Sequence, residues 1–265
     1  MINKNTKIIY DNIIFSLQKV GGISNYWAEL IKRISIKKNV IFYEKKNKNI
    51  FKKKLSYQVI AESKFPKNIL RLLPFQKKLI EGSIFHSSYY RTTFQKDIIK
   101  VVTIYDFINI KFNKNIFDYV SQWYKNLAIL NADGVICISN STKNDLFKYF
   151  PKINKKKIKT IYISADENFF PIKNKKNKIK DNDLKKLKNK KIILYVGSRK
   201  KKYKNFTLAM DVVSSMKEYI LVSVGPEKIQ IKEREEITHK LKNRFYQFNN
   251  IDTEKLNKIY NLSFC

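Results

Sequence analysis

Residues 7–30, KIIYDNIIFSLQKVGGISNYWAEL, pass from an apolar run through a glycine pair into a helical pattern. Lys7–Phe15 is isoleucine-rich and nearly continuous in apolar character, as a strand buried on both faces is. Trp27, Leu30, Ile31 and Ile34 then share one face of a helix that begins near Ser24. Between them, Gly21 and Gly22 use two of only six glycines in the chain. A helix N-terminus reached through glycine presents backbone N–H groups without Cβ atoms in the way, which suits an anion. A plain structural turn uses the same pair, and the dinucleotide fingerprint GxGxxG is absent. The stretch therefore speaks first to fold: strand, tight turn, helix.

That unit recurs. Strands are expected at Ser83–His86, Lys100–Tyr105, Gly134–Ser139 and Ile158–Ile163, then at Lys191–Val196, Tyr219–Val224 and Arg244–Phe248. Helices alternate with them. Hydroxyls of Ser139 to Ser141 cap one whose buried face is Leu146, Phe147 and Phe150, and Pro151 stops it. Phe206, Ala209, Met210 and Val213 mark another, and Asp252 or Thr253 caps a last one ending near Tyr260. Such alternation predicts parallel sheets covered by helices, an α/β class. Residues 171–190, PIKNKKNKIKDNDLKKLKNK, are highly charged and nearly free of large apolar groups. They divide the chain into a Rossmann-like domain over 1–170, a linker, and a smaller domain over 191–265; one long loop inside a single sheet is the alternative.

The chain has 265 residues, 43% hydrophobic and 14% aromatic, which excludes general disorder. Fifty-five Lys and Arg against 22 Asp and Glu give a formal charge of +33. Part of that excess reflects lysine, asparagine and isoleucine rising together, as in an AT-rich genome. The rest fits an anionic membrane surface or a phosphorylated substrate. No nucleic-acid recognition motif is present and the basic residues are not gathered on one element, so no specific nucleic acid is expected. Cys137 and Cys265 form no disulfide framework, and Cys137 in GVICIS reads as a small core residue. No run reaches the length of a membrane span and the N-terminus lacks a signal-peptide core. The expected location is cytoplasmic, with possible peripheral attachment to the inner face of the plasma membrane.

Residues 190–206, KKIILYVGSRKKKYKNF, repeat the opening design: an apolar strand, Gly197, then a basic loop entering a helix. Arg199 and Lys204 stand just past the strand end, where two cations suit a diphosphate. HSSYYRTTF, residues 86–94, puts Tyr89, Tyr90 and Arg91 beside another strand end, a composition that fits a sugar or phosphate and equally fits a packed loop. With His86 and His239 the only histidines, a histidine-based metal site is not expected. His86 reads as a strand-end residue and His239 as solvated helix surface.

Six segments occur in the order seen in glycosyltransferase family 4, which the chain resembles over nearly its whole length. They are DNIIFSLQKVGGISNYWAELIKRI (11–34), IFHSSYYR (84–91), VVTIYDF (101–107), ADGVICISNSTKNDLFKYFP (132–151), IKTIYISADENFFP (158–171) and ILYVGSRKKKYKNF (193–206). The resemblance implies the GT-B architecture, two Rossmann-like domains facing each other across a cleft. It implies a nucleotide-diphosphate sugar as donor substrate, no cofactor or metal, and a growing, lipid-linked cell-surface glycan, such as lipopolysaccharide, as acceptor. It makes Gly21 and Gly22 a loop approaching donor phosphate, Arg199 and Lys204 the pair neutralising the leaving diphosphate, with Gly197 beneath them and Gly225 near the base. His86 and Asp106 match strand-end positions facing the cleft, and are the catalytic candidates; Tyr90 and Arg91 are the acceptor-side candidates. Two departures stand out. Tyr105 replaces the histidine that often precedes the aspartate, and Ile163-Ser164 replaces an Asn-Gly turn. The family's Gly-rich segment with its two glutamates is also not found before Cys265, so a truncated second domain, a marginal C-terminal portion and impaired transfer are expected. A non-catalytic acceptor-binding remnant is the alternative, and a basic nucleic-acid-binding protein a more distant one.

Overall fold

The computed structural model describes residues 6–37, 39–62, 65–112, 116–164, 167–173 and 181–265. Its chain divides into two compact units, one ending at Ser164 and one starting at Ala165.

The first unit is built on seven parallel strands: β1 (Ile8–Asp11), β2 (Val40–Glu44), β3 (Ile60–Ala61), β4 (Ile84–Ser87), β5 (Ile99–Ile104), β6 (Gly134–Cys137) and β7 (Ile158–Thr160). They lie in the order β3-β2-β1-β4-β5-β6-β7, so β1 and β4 are central and flank the point where the order reverses. In register, Tyr10 sits beside His86 and His86 beside Val101. The helices are α1 (Ile14–Leu17), α2 (Gly22–Ile34), α3 (Lys67–Leu70), α4 (Ile108–Phe112), α5 (Ile116–Leu130) and α6 (Asn140–Tyr149). On one face Trp27, Ala28 and Ile31 of α2 pack on Tyr10 and Phe42, with Ile14 and Phe15. On the other, Ile9 and Phe85 meet Phe75, Leu79 and Ile98. A third cluster joins Ala128 and Ile129 of α5 and Leu146 of α6 to Val102, Ile104, Val135 and Cys137. Both faces are thus covered, which is why these strands read as unbroken apolar runs. Burial pushes the Cys137 thiol up to about 11, so it is an inert core group at neutral pH.

The second unit has three parallel strands, β8 (Lys191–Val196), β9 (Tyr219–Gly225) and β10 (Phe245–Asn249), ordered β10-β9-β8. Helices α7 (Phe206–Ser215), α8 (Ile231–Leu241) and α9 (Thr253–Leu262) accompany them. The middle strand β9 is buried along its whole length. After α9 the chain runs beside β8: Phe264 N–H donates to Ile192 O (2.8 Å) and Leu194 N–H to Cys265 O (2.7 Å).

Several sequence expectations change. The apolar run Lys7–Phe15 is a strand only to Asp11. Asp11 Oδ1 accepts the Ile13 N–H (3.2 Å), the chain turns, and Ile14 and Phe15 are buried in a helical turn instead. Apolar continuity does not separate a buried strand from a buried turn. Strands β2 and β3 were not anticipated, being short and set among lysines. β7 stops at Thr160, leaving Tyr162 exposed. The 171–190 segment is only partly a connection. Its residues 174–180 lie outside the described residues, as do Ala165 and Asp166 of the IYISAD motif. Asn182–Leu187 form a short 3-10 helix whose Leu184 and Leu187 enter the core of the second unit with Ile192, Val222 and Ile259. Two leucines three residues apart were enough to bury one side of a lysine-rich stretch. Upstream, Asn257 and Asn261 of α9 strap the chain down: Asn261 Oδ1 accepts Ile172 N–H (2.8 Å), and its Nδ2 donates to Phe170 O (2.9 Å).

Candidate functional site

Each sheet presents the C-terminal ends of its strands along one edge, where open α/β sheets bind ligands. At the edge of the first sheet, the turn at Gly21 leads into α2. A Cβ on Gly21 would lie 2.4 Å from Gln18 Oε1, whereas one on Gly22 would meet open space. Gln18 Oε1 also accepts the Ser24 N–H (3.3 Å). The helix N-terminus is therefore partly capped by the chain's own amide, with Gly22 and Ile23 as the outward donors. Trp27 fixes α2 to the sheet through Nε1, which donates to Asn12 Oδ1 (2.8 Å). The Tyr26 ring then meets Tyr105 edge-on at 5.9 Å, bringing the first turn of α2 over the end of β5.

Beside it stand Tyr89 and Tyr90, with ring centroids 5.2 Å apart, and Tyr90 and Tyr105 at 6.2 Å. Tyr90 occupies the left-handed region at φ 49, a conformation that non-glycine residues hold only where the surroundings enforce it. Its hydroxyl accepts the Tyr105 N–H (3.2 Å). Tyr105 itself is buried and donates to Ser88 O (3.1 Å), so it packs the edge where an imidazole was the family expectation. Asp106 is exposed, its Oδ1 accepting the Ile108 N–H at the start of α4 (3.1 Å). Lys125 of α5 donates to Asp106 O and lies 4.2 Å from the Phe107 ring centre; burial lowers its pKa to about 8. Sequence reading missed Lys125, which falls inside a helix otherwise marked by apolar and aromatic residues. Gly21, Gly22, Tyr90 and Asp106 are thus brought to one edge.

Two other candidates are not at that surface. His86 is third of four residues in β4, buried and held between Trp27 (5.0 Å) and Tyr10 (5.6 Å), with Nε2 2.9 Å from Thr103 Oγ1. Burial lowers its pKa to about 4, so it is neutral at pH 7. A histidine at a strand's end points to either face, and here α2 covers the face it took. Arg91 is turned inward: Nη1 donates to Glu62 Oε1 (2.6 Å) and Asp11 Oδ2 (3.2 Å), and Nε to Leu73 O (3.2 Å). Its side chain is 1% exposed. Burial first, then the nearby Asp11 charge, raise the Glu62 pKa, with Arg91 opposing both. Arg91 is a buried post under the edge, with no surface left for an acceptor.

In the second unit, Gly197 and Gly225 lie side by side at the ends of β8 and β9. A Cβ on Gly225 would sit 2.4 Å from Gly197 O, so only glycine permits that approach. Gly197, at φ 153, lies under the Lys204 side chain; a Cβ there would be 2.8 Å from Nζ. Lys204 is exposed, and among the described residues it has no ion-pair partner. Asn205, left-handed at φ 51, then turns the chain into α7.

Arg199 differs from the expectation. Its Nε donates to Glu233 Oε1 (2.6 Å) and Nη2 to Glu227 O (3.2 Å), with the side chain 1% exposed. Nη1 is buried without a partner, as is Glu227 Oε2, while Glu227 Oε1 accepts from Ser198 Oγ. Burial raises the Glu233 pKa, but the hydrogen bond and charge of Arg199 outweigh it and hold the carboxyl below its ordinary value. Glu233 was legible in part: Gln230-Ile-Lys-Glu233 is a capping box, and its carboxylate does both jobs. Of the expected basic pair, Lys204 stands free at the edge and Arg199 is already engaged. Among the described residues no group of three His, Cys, Asp or Glu side chains is placed to hold a metal, and no helix is long and apolar enough to cross a membrane.

No protein-family model matches the chain, and no curated protein matches it. Solved structures do. Anabaena HepE in complex with UDP and glucose superposes with a TM-score of 0.66 at 13% identity, over 97% of this chain and 72% of that one. The same protein with UDP-glucose gives 0.65 at 14% identity, over 96% and 71%. Staphylococcus aureus MnaA with UDP gives 0.59 at 13% identity, over 98% and 72%. At such identities the likeness establishes fold: two Rossmann-like parallel α/β units in series, the GT-B-like class expected from the sequence.

Proposed function

We propose that the chain is a glycosyltransferase of the GT-B type, resembling family 4, that takes a sugar from a nucleoside-diphosphate donor to a growing cell-surface glycan. The observation that carries this reading is the second-unit edge. Gly197 and Gly225 let backbone lie close, and Lys204, which has no ion-pair partner among the described residues, lies over Gly197 at the entrance to α7. Such a site offers a fixed positive charge and backbone dipoles to a diphosphate leaving group. The family-4 motif order and the fold shared with UDP-bound structures support the same ligand class. In the transfer step an acceptor hydroxyl forms a bond to the anomeric carbon. The bond from that carbon to the phosphate oxygen breaks, its electrons leave with the diphosphate, and the hydroxyl proton passes to a base. In the first unit Asp106 is the exposed carboxylate of the candidate edge, and we assign it the acceptor hydroxyl, with Tyr90 and the outward N–H groups of α2 beside it. His86 and Arg91 act underneath, as framework. A lipid-linked acceptor belongs to this reading through the family resemblance alone.

The test is nucleotide binding by the 265-residue chain. UDP, GDP and ADP are titrated while the melting temperature is followed, and at least one raises it by mass action. Lys204→Ala weakens that ligand about tenfold, roughly 1.4 kcal/mol, with the unliganded melt unchanged. No shift with any nucleoside diphosphate at millimolar concentration overturns the reading.

A further inference from the structure

Helix α5 carries its polarity the wrong way round for a surface helix. At about 100° per residue, Ile116, Tyr119, Val120, Trp123, Leu127 and Leu130 fall within roughly 100° of arc. Five of these face outward: Ile116 is 69% exposed, Trp123 59% and Leu130 64%, with Tyr119 and Val120 also exposed. Both charged residues of the helix, Asp118 and Lys125, lie on the opposite side, and Gln122 and Lys125 are buried. Phe112, at the end of α4, adds a further exposed ring just before this stripe. In a chain with 55 basic residues, the outer face of a 15-residue helix bears none. A contiguous apolar face of this size marks a docking surface.

We infer that this face lies in the interface of an anionic lipid bilayer. Charge decides among the occupants. A second copy would bring another +33 against the first, so like charges oppose self-association through a face with no charge to offset them. A bilayer surface carrying acidic headgroups attracts the basic body of the protein and offers hydrocarbon to the stripe between the charges. The composition of the stripe fits that boundary: a tryptophan and a tyrosine among aliphatic side chains, the ring types that settle at headgroup depth. Nucleotide binding measured separately tells the failure of this inference from that of the proposed transfer site.

The sequence supplies its own probe. Of the two tryptophans, Trp27 is fully buried and Trp123 exposed, so lipid-dependent emission reports α5. The 265-residue chain is mixed with phosphatidylcholine vesicles and with vesicles holding about 30 mol % phosphatidylglycerol, and pelleted. Anionic vesicles bind it about tenfold or more tightly, Trp123 emission shifts to the blue, and acyl-brominated lipid quenches it. The double variant Trp123→Ser, Leu130→Ser loses about tenfold in vesicle affinity with its melt unchanged, and Trp123→Phe retains binding. Three results overturn the inference: no binding at any anionic fraction, equal binding by the double variant, or a concentration-dependent dimer that the double variant abolishes.

Discussion

Arg91 and Arg199 look alike in sequence, each a scarce arginine just past a strand end, and the two units use them alike but not equally. Both are turned inward with side chains 1% exposed. Arg91 sits between Asp11 and Glu62, carboxylates that are themselves 0% and 2% exposed. Arg199 holds Glu233, whose side chain keeps 25% of its exposure. The guanidinium is suited to both posts because its fixed fork reaches two acceptors at once, which a compact lysine ammonium matches less well. The first unit therefore carries a fully dry ion cluster beneath its edge, and the second a half-wet pair next to an edge where Lys204 remains open.

The comparison breaks most readily at Arg91. Arg91→Met leaves two buried carboxylates without the guanidinium that bridges them and costs about 3–5 kcal/mol, near the whole stability of a domain. Both tryptophans lie in the first unit, so the urea midpoint read by their fluorescence reports this loss directly. A midpoint within error of the parent would mean that the cluster contributes nothing.

Acid sharpens the contrast next, since His86 belongs to the first unit alone. Its pKa falls from an ordinary 6.5 to about 4 in the fold. The unfolded chain then takes up a proton near pH 6.5 that the native chain refuses until about pH 4. The stability His86 confers by staying neutral is complete above pH 6.5, and is lost as pH falls through that window, by about 3 kcal/mol. Glu62, raised in the fold, works in the opposite sense over part of the range. The measured quantity is thus the difference in urea midpoint slope between the parent and His86→Gln, the variant being flatter from pH 7 to 4. Identical slopes would remove His86 from the account.

The smallest effect is expected at Arg199. Arg199→Met costs about 1–2 kcal/mol, because Glu233 recovers water and keeps its capping role on α8. Amide exchange in β8, β9 and β10 accelerates accordingly, and a loss as large as that at Arg91 would erase the distinction between the units.

Legibility followed the range of the interactions. The glycine pair, the cap at Ser139 and the anion-suited Gly197–Lys204 loop are local and were read at their places, whereas β1, β6 and β7 end earlier than their apolar runs. Strands β2 and β3 were passed over because runs of two to five residues among lysines carry no clear period. Leu184 and Leu187 hid inside a charged stretch that composition marked as linker. The candidate site was read in its positions and misread in its facings: His86 and Arg91 at one edge and Arg199 at the other lie where expected along the chain, yet point into the protein.

By itself the sequence determined the α/β alternation, two parallel units and the strand ends at which glycines and cations cluster, since each follows from periodicity and backbone freedom within a few residues. The tertiary structure alone decided which cations stay free. Asp11 is 80 residues from Arg91, and Glu233 is 34 from Arg199. A charge is withdrawn from solvent only when folding delivers its counter-charge, and no local pattern records that delivery.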